Sequence, residues 1–235
     1  MRGTLIAIEG TDGSGKGTQI ALLAERLRTE GRTVAVHSFP QYGKKSAGLV
    51  EEYLNGAYGH ADSVDPHAAS LFFALDRFDA SRAINDELAE GAIVLLDRYI
   101  DSNVGHQGGK IRNEDERARY VAWLYDLEFR ILKNPRPDFT LVIHVPPSIG
   151  QEMVKKKAQR SYLEGGKTHD MHEGDLQHLQ HAEEAFLWLV QTSPNTHELI
   201  ESYTDRLLTP QEVHEKVWSK VHAISFSTEN NAESD

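Results

Sequence analysis

Short, nearly unbroken apolar runs recur along the chain at Thr4–Glu9, Thr33–Phe39, Ala92–Leu96 and Phe139–Val145, with a weaker one at Thr196–Ile200. Runs of this length read as strands buried on both faces. Between them the apolar positions switch to helical spacing. One such segment covers Gly15–Glu30, where Ile20, Leu23, Ala24 and Leu27 share a face and Gly31 supplies a stop. A long one covers Pro66–Glu90, opened by the cap and first-turn pair Asp65-Pro66 and followed by Gly91. Further helices are predicted over about Glu114–Leu132, Ser148–Lys157, Asp175–Gln191 and Pro210–His222. Strands alternating with helices predict an α/β fold, a five-stranded parallel sheet with helices on both faces. In such a sheet ligands bind beyond the carboxyl ends of the strands, so the residues after each apolar run carry the chemistry.

The first of these ends is the most specific. Gly10-Thr11-Asp12-Gly13-Ser14-Gly15-Lys16-Gly17-Thr18 lies between a strand and a helix with the spacing G-x-x-x-x-G-K. Glycines let backbone N–H groups turn inward onto phosphate oxygens, and the helix N-terminus adds partial positive charge. Lys16 is placed to reach the β- and γ-phosphates. Gly10, Asp12, Gly13, Ser14, Gly15, Lys16, Gly17 and Thr18 are therefore the candidate ATP contacts. The residue after Lys16 is Gly17, where a hydroxyl usually helps to hold magnesium. Thr18 is one step further and points about 100° away on a helix. A magnesium ion carried with ATP would then rest on the nucleotide, water and carboxylates.

Other strand ends and one helix face add to this. Asp97-Arg98-Tyr99 follows the third run, giving a carboxylate for magnesium or its water and a guanidinium for a phosphate. Asp12 sits among the loop amides, where the alternative reading is a turn-stabilising Asp. On the long helix Phe73 and Arg77 are four apart on one face, an aromatic plane and a guanidinium suited to a flat base. Phe39-Pro40-Gln41-Tyr42-Gly43 follows the second run. Lys155–Thr168 gathers Lys155, Lys156, Lys157, Arg160 and Lys167 around Gly165-Gly166, which suits a mobile lid closing over phosphates as well as it suits a solvated loop. His169, His172, His178 and His181 cluster nearby; no carboxylate repeats in register with them, so a polar surface is expected rather than a metal site.

Composition narrows the partners. The net charge of −11 argues against nonspecific binding to nucleic acid or anionic membrane. There are no cysteines, which removes thiolate catalysis and zinc-thiolate sites. No apolar run approaches the length of a membrane span, and a strand begins almost at the first residue, so no membrane partner and a cytoplasmic location are expected. Residues 1–224 are expected to form one domain with a lid at about 155–172. The polar, acidic stretch 225–235 is expected to be a disordered tail.

Taken together, Ile8–Lys16, Phe39–Gly43, Leu71–Arg77, Asp97–Asn103 and Arg136-Pro137-Asp138 resemble the thymidylate kinases, P-loop nucleoside monophosphate kinases that phosphorylate dTMP to dTDP with ATP. The resemblance spans nearly the whole chain. It implies the P-loop kinase fold, magnesium with ATP as the donor, and a homodimer. It also implies that Phe73 stacks on thymine, Arg77 hydrogen-bonds its carbonyl edge, Asn103 lies near the base and Tyr42 borders the acceptor. Arg98 grips the acceptor phosphate, Asp12 contacts the 3′-hydroxyl region and the metal environment, and Asp97 positions magnesium or its water. Asp170 and Glu173 match acidic positions after the lid. In four places the chain departs from the pattern. His106 stands where an aromatic usually packs against the sugar, and His172 replaces an aromatic after Asp170. Gln41 replaces an Arg, so that Lys44 or Lys45 would supply charge. Gly13 follows Asp12 where some relatives carry Arg, which moves the catalytic arginine to the lid and to Arg160, with Lys167 as second candidate. Two other readings remain at this stage. One is a kinase for another monophosphate or a deoxynucleoside, with Glu9 as base in the latter case. The other is a nucleotide-binding regulator without turnover.

Overall fold

A computed structural model describes residues 2–60, 63–163 and 176–230. Its elements are β1 (Leu5–Glu9), α1 (Lys16–Thr29), β2 (Val34–Ser38), α2 (Gly48–Leu54), α3 (Pro66–Ala89), β3 (Ile93–Asp97), α4 (Asp101–His106), α5 (Glu114–Tyr125), β4 (Phe139–His144), α6 (Pro147–Leu163), α7 (Leu176–Thr192), β5 (His197–Glu201) and α8 (Pro210–Asn230). The strands form one parallel sheet in the order β2-β3-β1-β4-β5. The register aligns the strand ends: Ile8 pairs with Asp97, and Asp97 with Ser38. Gly10, Arg98 and Phe39 therefore leave the sheet side by side, at the edge where a ligand is expected.

The unbroken apolar runs are explained by burial on both faces. Leu5 and Ala7 of β1 point into a core with Ala80, Ile84 and Leu88 of α3, Val104 of α4, Tyr120 and Leu124 of α5 and Leu189 of α7. Ile6 and Ile8 point the other way, into a core with Ile20, Leu23 and Leu27 of α1 and Val213 and Val217 of α8. Each fully buried Leu or Ile contributes about 1.5–3 kcal/mol, so the central strand is fixed from both sides. Asp65 caps α3 as expected, accepting from the N–H of His67 at 2.8 Å. At the far end of β4, His144 bridges Glu183 of α7 and Glu201 of β5, each at 2.7 Å. The bond from Glu183, reinforced by Glu201, holds its imidazole protonated, with the pKa pushed up to about 9.

Several boundaries differ from the expected ones. The helix expected over Glu114–Leu132 is α-helical only to Tyr125 and then widens into a π-helical turn over Asp126–Ile131. That turn carries Glu128 into the interior, where it is fully buried beside Arg77. The helix expected to stop at Lys157 continues to Leu163, so the first half of the basic lid segment has helical backbone. Similarly, α8 runs through Asn230 into the stretch expected to be a disordered tail. The short helices α2 and α4 lack the turns needed to show a periodicity and were not expected. Residues 164–175 and 231–235 lie outside the described residues.

Candidate active site

Three loop glycines adopt positive φ: Gly10 at 138°, Gly13 at 81° and Gly15 at 91°. The two first ones also touch neighbouring backbone. A Cβ on Gly10 would lie 2.3 Å from the Ile143 carbonyl oxygen, and one on Gly13 2.1 Å from that of Gly150. The loop is thus clamped against β4 and the first turn of α6, and only glycine fits. Lys16 folds back into it, donating from Nζ to the carbonyls of Gly10 at 3.0 Å and Thr11 at 2.9 Å. Burial, with the Arg98 charge adding to it, lowers its pKa from 10.5 to about 8. The Ser14 hydroxyl is buried inside the loop with no hydrogen-bond partner among the described residues. Gly17 and Thr18 are exposed at the start of α1.

Arg98 faces this loop from the end of β3, with its backbone in the left-handed region at φ 62°. Its guanidinium pairs with Asp12 through Nη2 and donates from Nη1 to the Gly10 carbonyl at 3.3 Å. The turn that aims it is held from below by Glu9. The Glu9 carboxylate accepts from the N–H of Tyr99 at 2.7 Å, the N–H of Ser102 at 3.0 Å and the Ser102 hydroxyl at 2.6 Å. Burial raises the Glu9 pKa to about 7, with Asp101 pushing the same way. Glu9 is therefore occupied as a structural acceptor rather than aimed at a substrate hydroxyl. Asp97 is half-buried, and its Oδ2 would lie 3.6 Å from a Cβ on Gly17. No described residue donates a hydrogen bond to that carboxylate.

The base-binding candidates line the neighbouring face. Phe73 is half-buried and meets Tyr53 of α2 edge-on at 6.0 Å. Asn103 is buried and donates to the Ser70 carbonyl at 3.4 Å. Tyr42 is exposed at the rim. Arg77, expected from its face of α3 to offer a guanidinium to a flat base, is ion-paired inside the protein. It is fully buried, donating to Glu128 from Nε at 3.1 Å and Nη2 at 2.5 Å, and to the Tyr99 carbonyl at 3.3 Å. Glu128 is the site residue that sequence reasoning missed; its signal was a carboxylate set between the apolar residues Leu127 and Phe129. Beside Gln41 lies Lys44, one of the two lysines expected to replace the missing arginine charge, and it donates to Gln41 Oε1 at 2.5 Å. Gln41 itself is fixed by Asp76, to which its N–H donates at 2.8 Å.

One histidine reading changes. His106 is half-buried, its ring between Arg98 and His178. His178 is buried against it rather than on a polar surface. No group of three or more metal-ligating side chains occurs among the described residues. Of the lid candidates, Arg160 is on α6 with its side chain outside the described set, and Lys167, Asp170, His172 and Glu173 lie outside the described residues altogether.

A 2-3-1-4-5 parallel sheet, a glycine loop opening α1, and an arginine at the next strand end paired into that loop together define a P-loop nucleotide kinase. Within that class the chain belongs to the thymidylate kinase family, whose profile matches residues 8–202. It is 35% identical to the thymidylate kinase of Mycobacterium tuberculosis over 175 residues, 74% of this chain and 79% of that one. It is 29% identical to that of Bifidobacterium longum subsp. infantis, over 95% of this chain and 86% of that one. The solved structure of the Candida albicans thymidylate kinase superposes with a TM-score of 0.70 at 25% identity, covering 95% of this chain and 93% of that one.

The depressed Lys16 pKa generates a prediction. Lys16 must be charged to attract phosphate, and in the free protein it loses its proton above about pH 8. ATP binding should therefore be insensitive to pH below that value and weaken above it, the Kd rising toward about tenfold per pH unit. Isothermal titration between pH 7 and 9.5 measures this. A Kd that stays flat to pH 9.5 would show that the buried Lys16 keeps its proton or does not contribute.

Proposed function

We propose that this chain catalyses ATP-dependent phosphorylation of dTMP to dTDP. The observation that carries the reading is the meeting of the phosphate loop and Arg98 at the adjacent ends of β1 and β3, joined by the Arg98–Asp12 ion pair. Donor and acceptor phosphates bound there would lie within reach of one another. The acceptor is already an oxyanion at neutral pH, so the reaction needs alignment and charge neutralisation rather than a strong base.

In this reading Lys16, the Ser14 hydroxyl and the amides of Gly10–Thr18 hold the ATP phosphates. Arg98 grips the acceptor phosphate and Asp12 orients Arg98 and the sugar edge. Phe73 stacks on the base. Arg77 reaches its edge with the N–H groups that Glu128 and Tyr99 leave over, while Asn103, Tyr42 and His106 complete the acceptor pocket. Asp170 and Arg160, from the lid at about 155–172, close the site. Arg160 then supplies the transition-state charge that a loop arginine supplies elsewhere. The half-buried Asp97 carboxylate beside Gly17 suits a hard cation, directly or through water. Magnesium bound with ATP would neutralise charge on the β- and γ-oxygens. With no hydroxyl at Gly17, the Asp97 carboxylate, its Oδ2 3.6 Å from where a Cβ on Gly17 would lie, offers a protein oxygen beside that position.

We further propose a cytoplasmic homodimer. Among the described residues no helix is long and apolar enough to cross a membrane. Leu71, Leu75 and Phe78 are exposed at i, i+4 and i+7 on α3, an apolar stripe of the kind a second copy covers.

Two measurements follow. With ATP and magnesium, turnover should be fast with dTMP and slower by at least an order of magnitude with dUMP, UMP, dCMP, dGMP, AMP and thymidine. The Candida albicans enzyme has broad substrate specificity, and His106 occupies the sugar-facing position here, so UMP against dUMP is the informative pair. Turnover only with thymidine would favour a nucleoside kinase, and none with any acceptor a regulator. In sedimentation velocity the wild type should run as a dimer and Phe78→Glu as a monomer; a monomeric wild type would remove the dimer.

A further inference from the structure

His106, placed above in the acceptor pocket, is paired with His178, which the reaction outlined above does not use. His106 Nδ1 and His178 Nε2 are 3.2 Å apart. The rings lie within 16° of parallel with centroids 5.4 Å apart. Ring nitrogens this close with centroids this far apart mean that the rings meet edge to edge, as hydrogen-bonded imidazoles do. On its other side, His106 Nε2 lies 3.3 Å from Arg98 Nη1. The backbone is shaped for the contact. A Cβ on Gly105 would lie 2.3 Å from the Phe186 ring, and one on Gly109 2.7 Å from the His181 carbonyl oxygen, so α7 approaches α4 only because both positions lack side chains. Phe186 stands perpendicular to the His106 ring at 6.2 Å.

The donor and acceptor inventory gives this chain a direction. A guanidinium has donors only, so His106 Nε2 is the acceptor and carries no proton. The ring proton is then on Nδ1, which donates to His178 Nε2. Which imidazole nitrogen is protonated is set by the bond that the other one makes. We propose that His178 is a positioning residue for the acceptor site: by accepting from His106 Nδ1 it fixes the His106 tautomer that accepts from Arg98, and so sets the direction of the Arg98 guanidinium. Asp12 holds Nη2, while the Gly10 carbonyl and His106 hold Nη1. Without His178, the His106 Nδ1–H loses this acceptor, the tautomer with a proton on Nε2 is no longer disfavoured from that side, and where it forms two donors face each other and Arg98 loses one of its guides.

The inference rests on Arg98 as the acceptor-phosphate contact, so Arg98→Met is measured in parallel. His178→Phe keeps a ring of similar size and removes the acceptor. His178→Gln places an amide oxygen near the position of Nε2. Long-range ¹H–¹⁵N spectra of the imidazoles report the tautomer, and steady-state kinetics report KM for dTMP and for ATP. In the wild type His106 should be unprotonated at Nε2. His178→Phe should move the proton to Nε2 and raise KM for dTMP about tenfold, with KM for ATP unmoved, and His178→Gln should restore both. A wild-type His106 protonated at Nε2, or an unchanged KM for dTMP in His178→Phe, overturns the relay. So does a uniform loss of kcat, both KM values and thermal midpoint, which marks a merely structural role. If Arg98→Met itself leaves KM for dTMP unchanged, the reading of Arg98 has failed and the relay's function falls with it, whatever tautomer is seen.

Discussion

The site depends on the buried carboxylate of Glu9. It is the last residue of the central strand, and its two oxygens take up the N–H groups of Tyr99 and Ser102 and the Ser102 hydroxyl. Those bonds shape the turn between β3 and α4. Arg98, the first residue of that turn, is held at a positive φ that costs a non-glycine residue about 1–3 kcal/mol. The carboxylate is in turn embedded in a polar layer. Asp101 beside it accepts from the Tyr125 hydroxyl at 2.7 Å and the Thr140 hydroxyl at 3.3 Å, and bonds His197 at 2.9 Å. One network thus ties β1, β4, β5, α4 and α5 together beneath the phosphate loop and Arg98, the residues proposed to face the phosphates. Buried polar groups of this kind are costly when unpaired and rigid when paired, which suits an arginine that must be aimed.

Charge is distributed around the phosphate loop with the same economy. Among the described residues Lys16 and Arg98 bring cations to the loop, each turned onto backbone carbonyls of Gly10 or Thr11. Asp12 completes the pairing with Arg98. A bound phosphate would replace carbonyl partners by stronger anionic ones without moving the backbone. That is how a clamped glycine loop can be rigid and still exchange partners.

The central sheet was legible in the sequence because its strands are covered on both faces. Leu5 to Ile8 alternate between two cores, and every position is apolar, so the run announces itself. The loop and Asp97-Arg98-Tyr99 were legible because their residue types are tied to positions at strand ends. What was hidden depended on contacts between distant segments. Glu128 becomes the partner of Arg77 only through a π-helical turn, which no periodicity shows. His178 and His106 are 72 positions apart and meet only because Gly105 and Gly109 let α7 close on α4. From the sequence, His178 looked like one of a surface cluster. The short α2 and α4 carried too few residues to declare a face.

The account turns on Glu9 acting as a hydrogen-bond acceptor that shapes the turn, and a pair of substitutions separates this from a chemical role. Glu9→Gln keeps an oxygen for the two backbone N–H groups and an amide that can donate to the Ser102 hydroxyl. Glu9→Met keeps the volume and leaves both N–H groups buried without a partner, a loss of about 1–3 kcal/mol for each. The measurement is kcat/KM for dTMP in the two variants, with ATP affinity as the check on the fold. The account predicts Glu9→Gln within a few-fold of wild type and Glu9→Met lower by about 100-fold, with ATP binding retained in both. A Glu9→Gln variant as damaged as Glu9→Met would mean that the carboxylate takes part in proton transfer. An undamaged Glu9→Met would mean that the turn carrying Arg98 holds its shape without it. Either result would contradict the account.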